Sequence, residues 1–170
     1  MAARSGPYVP PRRARTKCKR PIEALLAELH RAYHYFNWRF TANTLPESPV
    51  ITLERPQARV RTIMGYYSLH GLGTPQGPRP HIALLPERLG DTNTTLECLL
   101  HELAHLRNFQ LGVADTDTRT QYHTLDFKVS AELFGLKCAP RERTRGYSRT
   151  SLGPRAEHAI EWLRPSAEVF

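Results

Sequence analysis

Apolar residues recur at helical spacing through Ile22, Leu25, Leu26, Leu29, Tyr33 and Phe36. This predicts a core-packing helix from Ile22 to about Trp38, with Pro21 suited to its first turn. A second run of the same kind extends from Thr94 to Asn108, where Leu96, Leu99, Leu100, Leu103 and Leu106 form a broad apolar surface. Thr94 and Glu97 stand at capping-box spacing, so this helix is expected to begin at Thr94, and Gly112 supplies a stop signal. Tyr122 to Lys128 opens a third helix, which continues through Ala131, Leu133 and Phe134 to Gly135. Pro154 to Leu163 predicts a short last helix, with Ile160, Trp162 and Leu163 docking on the core. Three strands are expected between the first two helices: Val50–Leu53, Val60–Leu69 and His81–Leu85. The Gly- and Pro-rich run from Gly71 to Pro80 reads as a loop, as do the polar stretch Ala114–Thr120 and the Arg-, Gly- and Ser-rich residues 139–153. These elements predict one α+β domain, with a small three-stranded sheet packed on helices. The strand at residues 81–85 is expected to be a sheet edge able to hold an extended peptide by main-chain hydrogen bonds.

The second helix contains His-Glu-x-x-His. His101 and His105 are about one turn apart, so both project from one face, roughly 6 Å apart along the axis. Two imidazole nitrogens so placed can meet one Zn²⁺. Glu102 points about 100° round the helix from His101. It is near such a metal without being a ligand, and suits a base that takes a proton from water and passes it to a leaving amine. Three polar residues interrupting a leucine-rich helix would be costly to bury without a shared purpose. His30 and His34 share the same spacing, but nothing else in the sequence supports a site there, and they are read as structural.

A catalytic zinc usually has three protein ligands and keeps one position for water. His123, Asp126, Glu132 and His81 compete for the third place. The metzincin continuation is excluded, because Asn108 and Leu111 stand where it needs glycine and histidine. Glu132 would give a gluzincin-like site. His123, near a turn at the start of the third helix, is the favoured candidate. Tyr66, Tyr67, His70 and His81 are candidates to assist in stabilising the oxyanion.

The chain has 170 residues and a net charge of +8, which suits a single domain with its own core. The charge is uneven. Residues 1–20 hold seven basic residues and no acidic one, whereas the rest holds 17 basic and 16 acidic. With Gly6, Pro7, Pro10 and Pro11 among them, residues 1–20 read as a disordered basic tail, a possible electrostatic tether to nucleic acid. The three cysteines, Cys18, Cys98 and Cys138, are far apart and odd in number, which predicts free thiols in a reducing compartment. No apolar run approaches the ~20 residues of a membrane span. A soluble, monomeric, intracellular protein is expected, cytoplasmic, or nuclear if eukaryotic.

The run Cys98-Leu99-Leu100-His101-Glu102-Leu103-Ala104-His105, followed by a loop and then His123-Thr124-Leu125-Asp126-Phe127-Lys128 and Leu136, resembles the SprT-like zinc metallopeptidases, the family of the Spartan-related protease domain. The order of a long helix, a small sheet and then the metal helix fits as well. The resemblance covers roughly residues 20–138. It implies a zincin-like fold over 21–138, zinc held by His101, His105 and His123, Glu102 as catalytic base, and protein substrates that include DNA-associated ones. Residues 139–170 would then be a C-terminal extension packing on the domain. Thr124 departs from the glycine common at that place. Cys138 stands alone, so the four-cysteine ribbon that many members carry is not expected, and nucleic-acid contact would fall to residues 1–20. The rival expectation is a non-catalytic binding module whose zinc is purely structural, its shell closed by Cys98 or Glu132.

Overall fold

The computed structural model describes residues 21–46, 49–54, 65–75, 77–86, 89–117 and 119–170, with the side chains of 66–72 and 78 excluded. The basic tail at 1–20, Cys18, and residues 60–64 of the expected second strand lie outside the described residues. Those described form four helices and small sheets, a mixed architecture compatible with α+β.

The first helix, α1 (Pro21–Thr41), starts at its proline and buries Leu29, Ala32, Tyr33, Phe36 and Phe40, while Ile22 is exposed. Three strands follow: β1 (Val50–Leu53), β2 (Gly65–Thr74) and β3 (Gly77–Leu84). They form one sheet in the order β1-β3-β2, with β1 parallel and β2 antiparallel to β3. The strand containing residues 81–84 is therefore central, not an edge as expected. Both its sides are paired, and the edges belong to β1 and β2. The expected loop at Gly71–Pro80 is the tip of the β2–β3 hairpin, paired through Leu72↔Arg79 and Thr74↔Gly77. Pro78 and Pro80 stand two apart, so their missing N–H groups fall on one side of β3. They do so beyond the end of β1, whose register starts at Val50↔His81.

The sheet leads into α2 (Thr92–Gln110), which touches α1, α3 and both β2 and β3. Its N-cap is Asp91, not Thr94. The Asp91 carboxylate accepts from the Thr94 N–H at 2.8 Å. A carboxylate at this end also meets the positive pole of the helix, which a threonine hydroxyl does not exploit. The C-terminus ends as expected at Gly112, φ 68°. The Gly112 N–H donates to the Phe109 carbonyl at 3.0 Å and the Val113 N–H to the Asn108 carbonyl at 2.9 Å, which is a Schellman closure. All five leucines from Leu96 to Leu106 are fully buried.

After α2 come a two-strand hairpin, β4 (Thr116–Asp117) and β5 (Tyr122–His123), then α3 (Leu125–Leu133). The third helix thus begins later than expected, and His123 precedes it on a strand. Strand β6 (Leu136–Cys138) pairs with β7 (Thr150–Leu152), so residues 139–153 are not simply a loop. The last helix, α4, spans Pro154–Leu163 as predicted. Ala156, Ala159, Ile160 and Leu163 join the same core as α1 and α2. Trp162 does not dock: it falls outside the face that these i, i+3, i+4, i+7 positions define, and it is 62% exposed. Cys98 and Cys138 are free thiols. Among the described residues no helix is long and apolar enough to cross a membrane.

Candidate metal centre

His101 and His105 face the same way from successive turns of α2, with ring centroids 5.1 Å apart. His123 on β5 completes the group, its ring 5.3 Å from His101 and 5.0 Å from His105. One nitrogen from each ring lies within 4.8 Å of the other two, close enough to bind a metal ion together. All three rings pack on buried Phe127 of α3, at centroid distances of 4.5–4.6 Å. This aromatic floor limits the rotamers open to each imidazole.

Every Nδ1 is already engaged. In His105 it bonds the Asp115 carboxylate at 2.9 Å, in His123 the Gln121 carbonyl at 3.1 Å, and in His101 the Thr150 hydroxyl at 3.3 Å. Thr150 in turn donates to Glu97 at 3.1 Å. These contacts leave Nε2 of each ring as the atom for a metal, the arrangement in which an outer hydrogen bond sets tautomer and orientation. The Asp115 carboxylate also accepts from Asn108 at 2.8 Å, whose own oxygen accepts from Ser130 at 2.6 Å. Arg107 donates to Ser130 at 2.8 Å, so a hydrogen-bonded chain ties α3 to His105. Replacing Asp115 with Asn weakens the acceptor without changing its shape. We expect Asp115→Asn to lower metal affinity about 10-fold or more, read by competition with a chelator. Unchanged affinity would remove Asp115 from that role.

His123 is held from both sides. β4 pairs with it through Thr116, and on the other side the His123 N–H donates to the Arg145 carbonyl while the Tyr147 N–H donates to the His123 carbonyl, both at 3.1 Å. Gly146 lies between these two contacts. A Cβ there would be 1.9 Å from the His123 carbonyl oxygen. Thr124 has φ −80°, which any residue adopts, so this position does not demand the glycine common among SprT-like proteins.

The electrostatics favour the neutral form of His101 and His123 but not of His105. Burial, aided by the charges of His105 and His123, holds His101 well below its ordinary value. Burial also lowers His123 to about 4. Burial works the same way on His105, but the hydrogen bond to Asp115 and the charges of Glu102 and Asp115 outweigh it and raise that ring. Glu102 is 3% exposed. Burial pushes its carboxyl up to about 7, with His105 opposing and Asp115 adding. Among the described residues no group bonds its Oε2. A buried carboxylate oxygen without a partner is rare enough in folded proteins to need an explanation. β2 passes close by: a Cβ on Gly65 would be 3.0 Å from Glu102 Oε1.

The other third-ligand candidates are elsewhere. Glu132 is half exposed and pairs with Lys128 at 3.6 Å, and Asp126 is exposed. His81 bonds Thr52 at 2.7 Å and Glu54 at 3.1 Å. His30 and His34 belong to no metal-binding group among the described residues, and neither Cys98 nor Glu132 joins the three histidines. The side chains of Tyr66, Tyr67 and His70 lie outside the described residues. Sequence reasoning missed Asp115, Thr150, Gly65 and Gly146, and it noted Phe127 only as part of the motif, not as the floor of the site. Only Asp115 offered a signal, as an acid in the loop between the helix motif and the third histidine. The site is a three-histidine centre able to bind a metal ion. Comparison with protein-family models, with curated proteins and with solved structures returns no match.

Proposed function

We propose that this chain is a zinc-dependent metalloendopeptidase of SprT-like type, with a zincin-like domain, that hydrolyses peptide bonds in protein substrates. The observation that carries this reading is the convergence of His101, His105 and His123 beside buried Glu102, whose Oε2 has no bonding partner among the described residues. Three neutral imidazoles are a common ligand set for catalytic zinc, and the engaged Nδ1 atoms fit it. When bound, zinc supplies Lewis acidity: it lowers the pKa of water and polarises a carbonyl. Glu102 takes a proton at its carboxylate and returns it to the leaving amine. β2 is an edge strand that passes Glu102 at Gly65, so an extended peptide pairing with its outer side would run past the carboxylate. A closed structural site would need a fourth protein ligand, and among the described residues none joins the group.

Metal analysis and a cleavage assay test this together. The natural chain is expected to carry about one zinc and to cleave an unfolded polypeptide until a chelator removes the metal. His123→Ala should lose most of the zinc. Full zinc retention in that variant, or a zinc-loaded chain that cuts no unfolded polypeptide, would end the proposal.

A further inference from the structure

The charge of residues 21–170 is near balance overall but not locally. Residues 137–155 hold six basic side chains and one acidic one, Glu142. This segment builds the wall of the metal centre: its 145–147 stretch runs along His123, bonded to it in both directions. Arg141, Arg143, Arg145 and Arg149 are all exposed. Two of them are occupied. Arg141 lies over the Tyr122 ring, 5.7 Å from its centroid, and donates to its hydroxyl. Arg149 already holds a carboxylate, that of Glu142, at 3.0 Å. Arg143 and Arg145 are exposed and, among the described residues, make no ion pair or ring contact, and the backbone of Arg145 is bonded to His123.

We propose that Arg143 and Arg145 form a subsite for acidic side chains of the substrate polypeptide, so that the preferred protein segments carry Asp or Glu within a few residues of the cleaved bond. The inference rests on the proteolytic reading above. Strand-like neighbours lie about 4.8 Å apart and an extended peptide advances about 3.4 Å per residue, so arginines beside His123 fall within about three or four residues of a bond held at the metal. Guanidinium can match carboxylate in a two-point fork, and within this segment Arg149 already donates one bond to Glu142. A positive rim also raises the local concentration of acidic segments and discriminates against basic ones.

Binding and cleavage are measured separately. The zinc-loaded full chain carrying Glu102→Gln is titrated with a fluorescent peptide bearing three Glu, with its Gln counterpart, and with a single-stranded DNA oligonucleotide of equal charge. Exposed ion pairs are individually weak, so two should favour the Glu peptide about 5- to 10-fold at low salt, with the preference shrinking at high salt. Arg143→Gln/Arg145→Gln, with its zinc content checked, should bring the ratio to about one. Equal binding of the two peptides would overturn the proposal. So would a preference unaffected by the double variant, or tighter binding of the oligonucleotide through these same arginines. A Glu-peptide preference that depends on the arginines, in a chain that cleaves no peptide, would support this subsite while removing the proteolytic reading.

Discussion

Glu102→Gln is expected to keep its zinc and lose about 10²–10⁴-fold in kcat on an unfolded polypeptide. Glutamine has the shape of glutamate but cannot accept and return a proton at that oxygen. Glu102 is no member of the ligand group, so the three histidines should hold the metal as before. The same variant carries a second expectation that a merely structural carboxylate would not share. The Glu102 carboxyl is raised from 4.5 to about 7 by burial. Ionising it inside the fold therefore costs stability as pH rises from about 4.5 through about 7, up to about 3 kcal/mol in the metal-free protein. Glu102→Gln removes that cost, so the metal-free variant should be the more stable form at pH 8 and gain nothing below about pH 4.5. Chemical denaturation at both pH values, beside the cleavage assay, reads the two effects. Retained hydrolysis would exclude Glu102 as the base. A metal-free variant that is less stable at pH 8 would mean that the carboxylate holds the fold together instead.

The parts of this molecule that were legible in the sequence are those whose information is local. The 3.6-residue period of the leucines reports α2. One turn of that helix is enough to aim His101 and His105 together, with no knowledge of the rest of the fold. Pro154 and the spacing of Ala156, Ile160 and Leu163 report α4, whereas Trp162 was misjudged by counting it as apolar without asking which face it occupies. What stayed hidden is held by contacts distant in sequence. Thr150 lies 49 residues from His101, and no periodicity links them. β7 is three residues long and becomes a strand only because β6 lies beside it. The β2–β3 hairpin hid behind glycines and prolines that the end of β1 makes tolerable. The position of β3 in the sheet is likewise a property of pairing: residues 81–85 are legible as a strand, but whether that strand is an edge depends on where β1 and β2 settle. Residues 139–153 are legible as Arg-rich, but their excess positive charge vanishes when summed over residues 21–170, because carboxylates elsewhere in the chain balance it numerically.

Gly146→Ala is expected to disable the metal centre although Gly146 touches no metal. Its φ of 64° lies in the left-handed region, which alone strains a residue with a side chain, by about 1–3 kcal/mol. The larger effect is steric. The new Cβ would stand 1.9 Å from the His123 carbonyl oxygen and 2.9 Å from its carbonyl carbon. Backbone cannot swing aside as the tip of a lysine can, so the bonds from His123 to Arg145 and Tyr147 must open. His123 then leaves its place over Phe127, and the group loses its third nitrogen. Zinc content should fall as it does in His123→Ala, but the two variants should differ in the metal-free state. His123→Ala removes a ring and leaves the β5 backbone paired, whereas Gly146→Ala should destabilise the metal-free fold by roughly 3 kcal/mol or more, the combined result of clash and lost hydrogen bonds. Gly73→Ala is the control: nothing lies within 4 Å of its Cβ position, so its stability should stay within about 1 kcal/mol of the natural chain and its zinc content should not change. Thermal unfolding with and without zinc, beside metal analysis, decides the matter. A Gly146→Ala protein with full zinc and an unaltered Tm would mean that the 145–147 segment does not clamp His123, and that the third ligand is held by β4 and Phe127 alone.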